Sequence, residues 1–281
     1  MRFTTLVGTG DLAAHLDDAT WTIVDCRFRL DDTAWGEREH ESLHVPGASY
    51  AHLDRDLSGR PNGSNGRHPL PDADRFRDAL GRLGIGNDSQ VVVYDQDNGM
   101  YASRLWWMLR WLGHDRVAVL DGGFAKWLTE SRPVESGRVT PPRRRFDGQP
   151  RLGWLVEAGD ISAQLGRSGW RLVDARAPER YRGEIEPLDR VPGHIPGAVN
   201  RPFAANVSET GTFRSRDELR AAFGAVVGGV TMDQVVCYCG SGVTACHNLL
   251  ALEHAGLPGA KLYAGSWSEW SSDPSRPVEQ S

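Results

Sequence analysis

The stretch VVCYCGSGVTAC, residues 235–246, decides the fold of this chain. The apolar residues before Cys239 are typical of a short strand that is buried on both faces. Gly240 and Gly242 then allow a tight loop whose backbone N–H groups turn inward, and the apolar pattern of residues 249–252 predicts a helix after it. We therefore expect Cys239 in a cup of amides at the positive end of a helix, where the thiolate is favoured over the thiol.

The same succession of segments occurs twice in the chain. Three pairs of segments match in order, at separations of 144 to 150 residues: 23–27 with 172–176, 44–48 with 194–198, and 92–95 with 236–239. Such a long period indicates a duplicated domain rather than a solenoid. The first copy carries Asp95 at the position of Cys239, so the chemistry is expected in the second copy alone.

Each copy alternates short apolar runs with helical patterns. In the first copy these patterns predict strands over 22–26, 90–95 and 117–120, and helices over 73–83 and 102–112. Alternation of this kind predicts an α/β fold with two tandem domains, each a mostly parallel sheet with helices on both faces. A polar, proline-rich linker precedes residue 148, so we expect a non-catalytic domain over 1–147 and a catalytic domain over 148–281.

The composition excludes several classes of protein. The 281 residues are 40% hydrophobic and 25% charged, as in an ordinary globular protein, and the net charge of −5 disfavours nucleic-acid binding. No apolar run approaches the roughly 20 residues of a membrane span, and the N-terminus lacks the apolar core of a signal peptide. Four cysteines are no disulfide framework, so we expect a cytoplasmic protein with reduced thiols and no organic cofactor.

Other roles for the cysteine are less consistent with its surroundings. A zinc site formed by Cys237, Cys239, Cys246 and His247 lacks the usual Cys-x-x-Cys pairs, so no metal is expected. A phosphatase loop needs an arginine where this chain has Ala245. If Cys239 were an inert core residue, packing would not require glycine at positions 240 and 242. Cys237 is expected in the core, and Cys246 either in the core or as a redox partner.

Three motifs together resemble a known family. VDAR (173–176), GHIPGA (193–198) and CGSGVT (239–244), in that order within a duplicated chain, resemble a two-domain rhodanese-type sulfurtransferase of the 3-mercaptopyruvate and thiosulfate sulfurtransferase family. The resemblance implies two rhodanese-like domains, of which the second is catalytic. Its cysteine takes sulfur from a small-molecule donor, holds it as a persulfide and passes it to cyanide or to a thiol, such as that of a thioredoxin-like protein. A monomer is expected.

The loop resembles one branch of that family. Thiosulfate-preferring members carry Arg and Lys after the cysteine, whereas Gly-Ser-Gly, as found here, is usual in members that prefer 3-mercaptopyruvate. In that branch the loop serine, here Ser241, forms a proton relay with a histidine and an aspartate, which match His68 and Asp54. Asp56 remains an alternative to Asp54. An imidazole exchanges protons near neutral pH, as protonation of a pyruvate enolate requires.

The resemblance also implies the substrate-binding residues. Two arginines bind the donor carboxylate in that branch, and a planar carboxylate suits a bidentate guanidinium. The matching positions and the loop itself predict this set: Arg180, Arg190, Gly240, Gly242, Val243 and Thr244. The segment that should supply the second arginine is shorter than usual, and Arg190 alone is available in it. A thiosulfate-preferring enzyme and a non-enzymatic persulfide carrier remain alternatives.

Overall fold

The computed structural model describes residues 2–167 and 169–281, which form two compact units. The first unit comprises the chain up to Gly59, Pro71–Arg151 and Glu209–Phe213. The second comprises Arg60–Leu70, Leu152–Ser208 and Arg214–Ser281. Both units are therefore discontinuous in sequence, and the predicted boundary between residues 147 and 148 stays a prediction. Residues 60–70, which include His68, belong by their packing to the second unit.

The first unit is built on a parallel sheet. Its elements in chain order are β1 (Leu6–Val7), α1 (Thr9–Ala13), β2 (Trp21–Asp25), α2 (Trp35–Ser42), β3 (Ser49–Tyr50), α3 (Ala73–Arg82), β4 (Gln90–Tyr94), α4 (Ala102–Trp111), β5 (Val117–Leu120) and α5 (Gly123–Thr129). The strand order is β1-β5-β4-β2-β3, with every neighbouring pair parallel. Every residue of β4 is buried, as expected of a strand covered on both faces.

The second unit repeats this plan. Its elements are α6 (Ala158–Gln164), β6 (Arg171–Asp174), α7 (Pro178–Arg182), β7 (Val199–Asn200), a 3₁₀-helix (Phe203–Asn206), α8 (Arg216–Val227), a second 3₁₀-helix (Met232–Gln234), β8 (Val235–Tyr238), α9 (Thr244–His254), β9 (Lys261–Leu262) and α10 (Ser266–Trp270). The parallel strands follow the order β7-β6-β8-β9. The predicted fold class, two domains each with a parallel sheet and helices, is confirmed.

The two hydrophobic cores use equivalent residues. In the first unit Tyr94 and Trp127 pack with residues from α1, β2 and β5, and in the second unit Tyr238 and Trp270 do the same with residues from α6, β6 and the segment after β9. These aromatic residues are fully buried, and burying an aromatic side chain contributes several kcal/mol to folding. Each unit therefore holds the end of its central strand, β4 or β8, against a rigid core.

A buried ion pair follows β2 and β6 at equivalent positions. Arg27 Nη2 lies 2.7 Å from Asp25 Oδ2, and Arg176 Nη2 lies 2.6 Å from Asp174 Oδ2. Each guanidinium also donates to a backbone carbonyl, of Leu43 in the first unit and of Gly193 in the second. Because each charge is hydrogen-bonded on several sides, the pair can be buried. It ties the strand end to the loop that carries the repeated His-x-Pro-Gly-Ala motif.

Two further features of the structure concern membrane-spanning helices and the state of the cysteines. Across residues 2–167 and 169–281, no helix combines the length and the apolar character needed to cross a membrane. The four cysteines are present as thiols, and all four are buried. Burial raises the pKa of the Cys26 thiol, and also that of Cys237, well above the ordinary value. These two thiols are core residues, as expected for Cys237.

Candidate active site

Cys239 lies directly after β8, the strand between β6 and β9. Ligands of parallel α/β sheets bind at this carboxyl edge, because the loops there connect strands to helices. Residues 239–243 form the loop, and α9 begins at Thr244 after Val243 at the N-cap position. The predicted succession of strand, loop and helix is therefore present, with Cys239 only 2% exposed.

The sulfur of Cys239 faces the backbone of its own loop. The N–H of Gly242 donates to Sγ at an N···S distance of 3.1 Å. The N–H of Cys239 itself donates to Ser266 Oγ at 3.1 Å, and its carbonyl accepts the N–H of Trp267 at 2.9 Å. The cysteine backbone is thus held by the start of α10, and a backbone donor points at the sulfur, as an anionic sulfur requires.

The two loop glycines are needed for different reasons. Gly242 has φ +77°, and a Cβ atom there would lie 2.3 Å from the carbonyl oxygen of Ala264, so this position needs both the freedom and the size of glycine. Gly240 does not have a positive φ. A Cβ atom there would instead lie 2.9 Å from Arg67 Nη2. Gly240 therefore makes room for guanidinium groups rather than for a turn, which the sequence pattern did not indicate.

Ser241 and His68 lie side by side within the second unit. The Nδ1 atom of His68 is 2.7 Å from Ser241 Oγ, a hydrogen-bonding distance in which the histidine tautomer decides which atom donates. Both side chains are buried, at 7% exposure each. The serine follows the cysteine by two residues in the same loop. His68 and Ser241, which the resemblance assigned to one proton relay, are thus in direct contact.

Asp54 and Asp56 lie in the first unit and differ in their surroundings. Asp56 accepts the backbone N–H of His52 through Oδ2 at 3.0 Å, and its Oδ1 lies 3.2 Å from Arg82 Nη2. Both oxygens of Asp56 are therefore engaged within its own unit. Asp54 is exposed, and its backbone N–H donates to His52 Nδ1 at 3.1 Å. Of the two carboxylates, Asp56 is thus the one held by the turn around His52.

The two predicted substrate arginines have different environments. Arg180, on α7, has a largely buried side chain and pairs with Glu186 at 2.6 Å. Its Nη1 would lie 3.4 Å from a Cβ atom on Gly240, so the guanidinium is next to the cysteine loop. Arg190 is exposed and lines a cleft of about 430 Å³ together with Arg67, His68 and Asp189. Arg180 is thus the better placed of the two.

The first unit has a carboxylate where the second has the sulfur. The Asp95 carbonyl accepts the N–H of Phe124, as that of Cys239 accepts the N–H of Trp267, both at 2.9 Å. The Asp95 carboxylate accepts backbone N–H groups of Gly99, Tyr101 and Ala102 at 2.7–3.0 Å. Burial raises its pKa to about 6, against the opposing effect of these donors. Both loops therefore present backbone amides to the side chain that follows the central strand.

The remaining cysteines offer no metal site. Cys246 donates to the carbonyl of Gly242 at 3.3 Å, and His247 Nδ1 lies 3.2 Å from Asn206 Nδ2. In the described part of the chain no group of three or more His, Cys, Asp or Glu side chains could hold a metal ion. Cys246 is fully buried and braces the loop from the first turn of α9, which favours the core role over the redox role.

Two residues at the site were not among those predicted. Arg67 places its guanidinium beside Gly240, and the signal available was its position directly before His68. Ser266 has φ +55° and is fully buried, while the equivalent Gly123 has φ +57°. A residue-by-residue alignment of the two copies would have identified Ser266. It stands where the first copy has Gly123, and glycine is the residue that adopts a positive φ most readily.

Comparison with known proteins agrees with this geometry. The family model described as a rhodanese-like domain matches residues 9–130 and 157–273. The chain is 47% identical over 275 residues to the probable 3-mercaptopyruvate sulfurtransferase of Pseudomonas aeruginosa, with 97% of each protein covered. It is 40% identical over 264 residues to the putative thiosulfate sulfurtransferase SseB of Mycobacterium tuberculosis, covering 92% of this chain and 90% of that protein.

A solved structure extends the likeness to three dimensions. SseA from Escherichia coli, described as a 3-mercaptopyruvate sulfotransferase with the rhodanese fold, has a TM-score of 0.82 to this chain at 36% sequence identity. The match covers 94% of this chain and 99% of SseA. Likeness in sequence and in structure therefore extends over both copies of the duplicated unit.

Proposed function

The chain belongs to the rhodanese family of sulfurtransferases, and we propose that it transfers sulfur from 3-mercaptopyruvate to a thiophilic acceptor through a persulfide on Cys239. The observation that carries the choice of donor is the contact of 2.7 Å between His68 Nδ1 and Ser241 Oγ, two residues along the loop from the nucleophile. Thiosulfate transfer needs no proton relay, whereas transfer from 3-mercaptopyruvate releases a carbon base that must be protonated.

The proposed first half-reaction forms the persulfide. The Cys239 thiolate attacks the sulfur of 3-mercaptopyruvate, the new S–S bond forms, and the C–S bond breaks with its electron pair leaving on the pyruvate enolate. The hydrogen bond from the Gly242 N–H to Sγ supports an anionic sulfur at this position. In the second half-reaction the acceptor attacks the outer sulfur, and the S–S electron pair returns to Cys239 as the thiolate.

The proposed relay protonates the enolate carbon to give pyruvate. Ser241 is the proton donor to the carbon, His68 replaces that proton, and Asp54 orients His68 and balances its charge. This arrangement follows the order of a Ser-His-Asp triad run in the direction of protonation. Asp56 is a weaker candidate, since its carboxylate oxygens already bind the His52 N–H and Arg82.

The proposed donor site surrounds the loop. Arg180 binds the carboxylate of the donor, and the backbone of residues 240–244, including Val243 and Thr244, holds the transferred sulfur. The position of Arg180 beside Gly240 supports this assignment. Asp95 makes the first unit non-catalytic in this proposal, because a carboxylate saturated with backbone hydrogen bonds cannot accept a sulfur atom.

The acceptor in this proposal is cyanide or a thiol, with a thioredoxin-like protein as the physiological candidate. Four cysteines present as thiols support a reducing compartment such as the cytoplasm. All the proposed catalytic residues come from one chain, so a monomer suffices. Thiosulfate remains the alternative donor, because a sulfonate can also bind between arginines, and SseB, a similar protein, is named for it.

Two measurements test the proposal. Mass spectrometry of the protein after exposure to 3-mercaptopyruvate should find one added sulfur on Cys239, and kcat/KM should be higher for 3-mercaptopyruvate than for thiosulfate. Cys239→Ser should abolish both loading and turnover, whereas Cys26→Ala, which changes a buried thiol of the first unit, should retain both. A protein that loads once and never turns over with excess thiol would instead be a persulfide carrier.

A further inference from the structure

The cysteine loop is bordered by two guanidinium groups. A Cβ atom on Gly240 would lie 2.9 Å from Arg67 Nη2 and 3.4 Å from Arg180 Nη1. Both arginines therefore converge on the residue that directly follows Cys239. Arg190, the second arginine expected from the sequence, is exposed. The two cations that border the cysteine loop at Gly240 are Arg67 and Arg180.

One carboxylate joins the two arginines. Asp189 Oδ1 forms an ion pair with Arg67 Nη1, and Asp189 Oδ2 lies 3.3 Å from Arg180 Nη2. The Asp189 side chain is only 5% exposed, whereas those of Arg67 and Arg180 are 29% and 17% exposed. A single carboxylate thus presents one oxygen to each guanidinium, which is the pattern that a bound α-keto acid would use.

The two arginines are held from behind by other groups. Glu186 accepts from Arg180 at 2.6 Å and from Arg176 at 3.2 Å, with its side chain 3% exposed. The backbone N–H of Arg67 donates to Ser268 Oγ at 3.0 Å. Arg180 keeps its position through Glu186 even without Asp189, and Arg67 keeps its backbone position through Ser268. The arginine pair is therefore preorganised to bind a second, external carboxylate.

Building on the function proposed above, we propose that Arg67 is the second arginine of the donor carboxylate site, and that Asp189 occupies this site in the free protein until the donor carboxylate displaces it. The exchange replaces one carboxylate with another between the same two cations, so no charge is left unpaired. Burial raises the pKa of the Asp189 carboxyl above its ordinary value, against the opposing effect of Arg67 and Arg180. Burial therefore destabilises the ionised carboxylate of Asp189, and its displacement toward solvent removes that free-energy cost.

The exchange separates two roles of the site. Affinity for any carboxylate depends on the difference between its binding and that of Asp189, so Asp189 acts as a built-in competitor. Removing the competitor should tighten binding, and removing Arg67 should weaken it. Neither change alters the side chain of Cys239, Ser241 or His68, so both should act on KM more than on kcat. A specificity role of this kind is distinct from a role in the chemical step.

The test measures the binding of pyruvate, the product carboxylate, to the Cys239→Ser protein, in which no turnover occurs. Arg67→Gln should raise the dissociation constant of pyruvate about 10- to 100-fold, the range for one charge-assisted hydrogen bond. Asp189→Asn should lower it, and this gain should vanish in the Arg67→Gln background. Arg182→Gln, which changes an exposed arginine paired with Glu184, is the matched control and should leave the constant unchanged.

The outcomes distinguish this inference from the function on which it rests. If Arg190→Gln weakens pyruvate binding more than Arg67→Gln does, the assignment of Arg67 is wrong although the enzyme still transfers sulfur. If Asp189→Asn weakens pyruvate binding in a protein whose circular dichroism matches the parent, Asp189 is a support for the arginines and not a competitor. A Cys239→Ser protein that still turns over donor would overturn the sulfurtransfer mechanism instead, whatever the binding data.

Discussion

Ser241 Oγ lies 2.7 Å from His68 Nδ1, although the two residues are 173 positions apart in the chain. Both belong to the second compact unit, because residues 60–70 pack there. The contact is therefore set by the packing of a single unit. A buried serine in contact with an imidazole can gain or lose a proton, and the first prediction follows from this pair.

Ser241→Ala removes the hydroxyl and leaves the loop backbone unchanged. We expect kcat with 3-mercaptopyruvate to fall about 100-fold or more, the usual contribution of a general acid, and turnover with thiosulfate to fall less than about tenfold, because that donor needs no proton. Steady-state kinetics with both donors measure the difference. Ser162→Ala, which removes a hydroxyl bonded to the Ala158 carbonyl on α6, is the control. Equal losses with both donors would contradict the relay.

A second prediction concerns the backbone of the nucleophile. Ser266 combines a left-handed φ of +55° with a hydroxyl that accepts the Cys239 N–H at 3.1 Å and donates to the Tyr263 carbonyl at 2.9 Å. The strained conformation, at a cost of about 1–3 kcal/mol, is maintained by these bonds. Ser266→Ala keeps the strain and leaves a buried N–H unpaired, whereas Ser266→Gly relieves the strain.

We therefore expect Ser266→Ala to be less stable than Ser266→Gly by about 1 kcal/mol in urea unfolding. Both variants should lose activity, because the Cys239 N–H loses its hydrogen bond to the Ser266 hydroxyl and the nucleophile is held by fewer contacts from α10. The glycine variant separates the two effects, since its fold is relieved of strain and only the hydroxyl is missing. Full kcat/KM in Ser266→Gly would mean that the hydroxyl has no part in positioning the cysteine.

Much of the fold could be predicted from local pattern. The strand predicted over 22–26 is Trp21–Asp25, and the helices predicted over 73–83 and 102–112 are Ala73–Arg82 and Ala102–Trp111. These elements agree within a residue or so because hydrophobic periodicity and the burial of a parallel strand are written in neighbouring residues. The internal repeat also predicted which residues of the two copies are equivalent. Tyr94 and Tyr238 fill equivalent core positions, and so do Trp127 and Trp270.

The second arginine of the site could not be predicted in this way. Arg67 and Asp189 are 122 positions apart, and no periodicity relates them. The resemblance directed attention to the segment around Arg190, because it implies a second arginine there. The packing of residues 60–70 into the second unit brings a different arginine to the loop. Such a substitution of one cation for another is visible only once the long-range contacts are known.

A third prediction concerns the buried ion pair of the second unit. Asp174 and Arg176 are almost fully buried and 2.6 Å apart, so neutralising Asp174 leaves Glu186, 3.2 Å from Arg176, as the remaining carboxylate partner of the guanidinium. We expect Asp174→Asn to lower the free energy of unfolding by about 1.5–3 kcal/mol, the contribution of hydrogen bonds to a charged group. Glu184→Gln breaks the exposed pair with Arg182 and should cost about 0–1 kcal/mol. Urea unfolding of the two variants measures the contrast, and similar losses would contradict the assignment of buried-pair energetics to Asp174.

The last prediction uses the pH dependence of Asp95. Burial raises its pKa to about 6 in the folded protein, above the ordinary value of about 3.9 for an unfolded aspartate. Between these two values the folded state binds a proton that the unfolded state has lost. The stabilisation is therefore fully present below the unfolded value and is lost as the pH rises through 6. From pH 5 to pH 7 the free energy of unfolding should fall by about 1.3 kcal/mol from this group.

Asp95→Asn removes this titration and keeps the size of the side chain. The difference in unfolding free energy between the parent protein and the variant should therefore shift by about 1.3 kcal/mol in favour of the variant between pH 5 and pH 7, because all other groups titrate alike in both. Urea unfolding at the two pH values measures it, with Asp147→Asn as a control at an exposed carboxylate paired with Arg145. Parallel pH profiles for parent and variant would show that Asp95 is ionised in both states across this range, and that the backbone donors of Gly99, Tyr101 and Ala102 outweigh its burial.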